Sequence, residues 1–60
     1  MTTEELIEYL RKDADSWEQI GWAVGLRSDA DIRRNEERIA YLRGAADQLE
    51  KLQAVLDRQQ

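Results

Sequence analysis

Residues 28–58, SDADIRRNEERIAYLRGAADQLEKLQAVLDR, decide the fold. Read at helical spacing, the stretch carries two neighbouring apolar stripes. The first is Ile32, Ile39, Leu42, Ala46, Leu49 and Leu56, and the second is Tyr41, Ala45, Leu52 and Val55. They are adjacent faces of one helix, and together they make an apolar arc wide enough to touch two other helices. The sequence before Gly25 supplies one such helix, so the arc predicts a second partner surface.

The upstream segment has its own seam. Ile7, Leu10, Ala14, Trp17, Gly21 and Val24 alternate at spacings of three and four, and Leu6 and Ile20 widen one edge. A capping box opens this helix, with Thr2 placed to accept from the backbone near Glu5 while the Glu5 side chain reaches back. Glu4, Glu5 and Glu8 suit the positive end of its dipole. At Gly25-Leu26-Arg27-Ser28 the signals change. Gly25 suits a left-handed helix stop, Leu26 is placed to fold back onto Ile20 or Gly21, and Ser28 caps the next helix with Asp29 and Asp31 in its first turn.

So short a connection predicts antiparallel neighbours. The expected fold is all-α, a single helical-hairpin domain over 1–60 with helix one at about 3–24, a turn at 25–28 and helix two at about 29–58. Folding about Leu26 and Arg27 pairs residues whose numbers sum to roughly 53. Gly21 then faces Ile32, Trp17 faces Asn35 or Glu36, Ala14 faces Ile39, Leu10 faces Leu42 or Arg43, and Ile7 faces Ala46. The stripe Tyr41, Ala45, Leu52, Val55 and Leu56 is left for another chain, with a homodimeric four-helix bundle as the favoured assembly.

Size supports that expectation. A chain of 60 residues buries only about 60% of the surface its unfolded form exposes. Without cysteine or histidine it has neither disulfides nor ordinary zinc or haem ligands. No cofactor and no metal site is expected. No stretch reaches the length of a membrane span, and the N-terminus is acidic where a signal peptide is basic. The expectation is a cytoplasmic protein with no membrane partner. Net charge is −4, all of it from residues 1–26, and an acidic chain disfavours nonspecific attraction to phosphate backbones.

Few residues invite a chemistry. Ser16 and Ser28 lack a usual general base, and no phosphate-cradling glycine motif or calcium loop occurs, so no catalytic residue is assigned. Four features have two readings each. Trp22 follows the polar side of helix one, and is either a partner contact or core tucked under the turn. Asn35, in the seam between Ile32 and Ile39, either fixes register or turns its amide to a ligand. Asp13, on the edge of the apolar stripe beside Leu6, Tyr9 and Ile20, is expected to pair with an arginine at the assembly edge. Arg33, Arg34 and Arg38 with Asn35 form the one candidate anion site, for a nucleotide or RNA. Arg38 opposite Asp15 and Arg34 near Glu18 are alternatively interhelical ion pairs.

Two segments, Leu42–Leu52 and Leu6–Trp17, resemble the short helical proteins of unassigned role encoded by tailed bacteriophages and prophages. That resemblance implies an accessory protein acting inside a bacterial cell by binding a host protein, defence components included. It assigns no functional residue. In shape the hairpin is also similar to plasmid-encoded dimeric bundles that bind RNA. The sequence therefore predicts a non-enzymatic protein-interaction module, with nucleotide or RNA binding through helix two as the alternative.

Overall fold

The computed structural model describes residues 1–24 and 28–59, and the side chains of 1–21 and 28–59. It contains two helices, α1 over Thr3–Val24 and α2 over Asp29–Arg58, packed on one another as a hairpin. Contacts across the pair run in opposite directions: Arg11 meets Asp47 and Glu50, while Asp15 and Glu18 meet Arg43. The helices are therefore antiparallel.

Each start is held by its cap. The Glu5 amide donates to Thr2 Oγ1 at 3.1 Å, the first bond of the capping box, and the Thr2 hydroxyl donates to Glu5 Oε1 at 3.1 Å, so the Glu5 side chain turns back onto the cap through the hydroxyl. At α2, extended Ser28 accepts from the Asp31 amide at 3.2 Å, with Asp29 and Asp31 on the positive end of the dipole. Gln59 closes the far end by donating its amide to the Leu56 carbonyl. The Gly25 stop and the Leu26 fold-back lie outside the described residues.

At about 1.5 Å per residue, the 22 residues of α1 and the 30 of α2 give rods of about 33 and 45 Å. The molecule is correspondingly long, 50 × 17 × 13 Å. Two helices cannot enclose much. Among the described residues only Ile7, Ala14 and Ala46 are buried, and Leu10, Trp17, Asn35, Ile39, Leu42, Ala45 and Leu49 are half-buried between the rods.

Two packing expectations change. Ile32, placed in the hairpin seam by its spacing, is 39% exposed. It lines an open groove of about 810 Å³ with Gly21, Asn35, Ile39 and Ala40. Gly21 has no side chain to reach across to it, which leaves Ile32 uncovered from that side. Ala45, set aside for another chain, is half-buried.

Candidate functional site: the two flanks of the hairpin

The ion pairs fix the geometry of the site. Arg11 spans Asp47 at 3.0 Å and Glu50 at 3.1 Å, and Arg43 spans Asp15 at 3.0 Å and Glu18 at 2.6 Å. In each case one guanidinium bridges two carboxylates spaced three apart, one turn of the facing helix. The hydrogen bonds that Arg11 donates to Glu50 and Asp47 hold its guanidinium pKa above the ordinary value, and those that Arg43 donates to Glu18 and Asp15 do the same there. Arginine is not deprotonated in proteins, so both bridges keep their cation.

These pairs replace two expected ones. Asp15 pairs with Arg43, not Arg38, and Glu18 pairs with Arg43, not Arg34. Side chains lean toward the N-terminus of their own helix, so in an antiparallel pair the two sets lean in opposite directions. A carboxylate on α1 therefore meets an arginine further along α2 than the backbone level suggests.

Among the described residues, every ionic contact between the helices lies on one flank. At about 100° per residue, Arg11, Asp15 and Glu18 sit to one side of the inward line of α1, and Arg43, Asp47 and Glu50 to the matching side of α2. The opposite flank of each helix must then share the other face. On α1 it carries Leu6, Tyr9, Asp13 and Ile20; on α2 it carries Tyr41, Ala45, Leu52 and Leu56, with Val55 further round toward the back.

That second face is apolar and open. Tyr41 is 76% exposed, Tyr9 60% and Leu52 59%, and Leu6, Ile20, Val55 and Leu56 are exposed as well. Burial is asymmetric to match. The buried Ile7, Ala14 and Ala46 lean toward the ion-paired flank, whereas the half-buried Leu10, Trp17, Leu42 and Leu49 lean toward the apolar one. Most of the exposed large apolar side chains gather on the second flank, while the ion-paired flank opens only at the Ile32 groove beside Glu18 and Arg43 and along the Ile7 groove beside Arg11. Periodicity read each helix alone and missed that the Leu6, Tyr9 and Ile20 edge joins the α2 stripe. The signal was present in the paired acids Asp15/Glu18 and Asp47/Glu50, whose bridging arginines define the opposite flank.

The remaining candidates scatter. Asn35 donates from Nδ2 to the Trp17 carbonyl at 3.3 Å, joining the helices. The Arg38 guanidinium lies 4.3 Å from the centroid of the Trp17 ring, a cation–π contact. Arg34, Asn35 and Arg38 line a small groove, but Asp31 shares it and Arg33 does not take part. Half-buried Asp13 makes no ion pair among the described residues. The side chain of Trp22 lies outside the described residues. Among the described residues no three carboxylates converge to hold a metal ion, and no helix is long and apolar enough to cross a membrane. Comparison with family models, with curated proteins and with solved structures finds no match to this chain.

Proposed function

We propose that this chain is a non-enzymatic module that works by protein–protein contact, self-associating through the exposed stripe of α2 into a dimeric four-helix bundle. The observation that carries this reading is the exposure of Tyr41, Leu52, Val55 and Leu56 along one helix. A contiguous apolar surface of this kind marks an interaction site in a soluble chain. Two of the arginines are already committed within the hairpin: Arg11 and Arg43 are each held by two carboxylates. The resemblance to phage proteins agrees with a role exerted by contact with a bacterial host factor, the assembled form being the acting species.

Sedimentation equilibrium of the full chain at micromolar concentration tests it. A mass above that of the 7.0 kDa monomer is expected. The double change Tyr41→Asp and Leu52→Asp should return the chain to monomer with its helical content retained. A wild-type chain that sediments as a folded monomer overturns the reading.

A further inference from the structure

We infer that the partner copy covers the whole apolar face, α1 included, in a face-to-face two-fold dimer. The inference rests on the self-association proposed above and adds the α1 half of the surface and the two-fold, face-to-face closure. Leu6, Tyr9 and Ile20 belong to the same face as Tyr41, Leu52 and Leu56, and the half-buried Leu10, Trp17, Leu42 and Leu49 form the floor between the two rows. A partner touching α2 alone would leave that floor open to water.

The elongated molecule exposes more surface than a compact chain of its mass, enough for one further copy to cover. A compact protein of 7.0 kDa exposes about 4,000 Å², whereas this chain exposes 5126 Å². The excess is about 1,100 Å² per copy, so two copies that removed it would bury about 2,200 Å² in total. That exceeds a standard interface and enters the range of obligate homodimers. Burying one patch against itself closes a two-fold pair.

Charge on the face is complementary across such an axis. The α1 flank carries Asp13, and the α2 flank carries Arg34 and Arg38 with Asp31 beside them, a net positive charge. None of these has an ion pair among the described residues. Laying α1 of one copy against α2 of the other sets opposite charges together and keeps neighbouring helices antiparallel.

The experiment uses the full chain in two forms. Wild type followed by NMR through a dilution series should show the side-chain signals of Tyr9 and Ile20 moving with those of Tyr41 and Leu52, while Arg11 and Asp15 stay still. The variant Tyr9→Lys with Ile20→Lys should weaken dimerisation about 100-fold or more, because each change is felt twice across the axis. Circular dichroism reports whether that variant keeps its helices; if it does not, the wild-type dilution series decides. Movement confined to α2 signals, or an α1 variant with wild-type affinity, overturns the shared face and leaves self-association standing. A mass above two copies overturns the two-fold closure. A chain that stays monomeric overturns both proposals.

Discussion

Asn35 on α2 donates from Nδ2 to the backbone carbonyl of Trp17 on α1, and the donor and acceptor lie 3.3 Å apart. The bond is directional, so it sets one axial position of the helices, which the slippery contacts of aliphatic side chains do not. Asn35→Ala should lower stability by about 1 kcal/mol, the net worth of one such bond. Asn35→Leu should recover that loss by burying apolar surface while broadening the NMR signals of Trp17 and its neighbours, because nothing then selects the register. Urea unfolding of both variants checks the first point. An Asn35→Ala chain with wild-type stability would show that the bond does not hold the helices.

Arg43 is the stronger electrostatic tie, since it bridges Asp15 and Glu18 on the facing helix. Arg43→Gln should lower the melting temperature more than Lys12→Gln, which loses only the contact with Glu8 one turn away on the same helix. The Arg43 effect should shrink as salt is raised toward about 1 M, where the screening length falls to about 3 Å. Equal losses for the two variants at low salt would count against a bridging role.

How legible this was in the sequence depended on whether a feature is local. Both caps could be read from Thr2–Glu5 and Ser28–Asp31, because a capping box is a relation between residues three apart. The seam through Ile7, Leu10, Ala14 and Trp17 could be read as well, because helical periodicity fixes each position around its own axis. Contacts between helices resisted reading. The lean of side chains moved the partner of Asp15 from Arg38 to Arg43, and the missing side chain at Gly21 left Ile32 uncovered. The shared apolar face resisted for the same reason: periodicity places Tyr9 on α1 and Tyr41 on α2, but only the ion pairs show that the two flanks coincide.

Ala14 is completely withdrawn from solvent. The helices are close there, and a larger side chain has nowhere to go without parting them. Ala14→Leu should destabilise the hairpin by about 1–3 kcal/mol through overpacking, despite the favourable helix propensity of leucine. Thermal unfolding is the measurement, and a variant as stable as wild type would mean that the helices part freely at this level.

Glu8 supplies an acid-sensitive contribution. The hydrogen bond and charge of Lys12, 2.9 Å away, hold its carboxyl below the ordinary value near 4.5. A carboxylate whose pKa is depressed in the folded state contributes stability above its unfolded value and loses it as pH falls through the folded one. The melting temperature should therefore fall as pH drops below about 4.5, and Glu8→Gln should flatten part of that fall without changing the melt at pH 7 by more than a small amount. An unaltered acid profile in Glu8→Gln would remove Glu8 from the account.

Gly44 lies in the middle of α2 on the side turned away from α1, and a Cβ added there would meet nothing within 4 Å. Glycine inside a helix costs about 0.5–1 kcal/mol relative to alanine, because the unfolded chain loses more freedom. Gly44→Ala should therefore stabilise the hairpin by about that amount. The same variant bears on the assembly. Gly44 points about 180° from the inward line, outside the flank that carries Tyr41, Leu52 and Leu56, so a dimer closed over that flank leaves it in solvent. Dimer affinity measured by sedimentation should be unchanged while the melting temperature rises. If affinity falls instead, the partner helix approaches α2 from behind Gly44, and the interface is centred on the Val55 side of the helix.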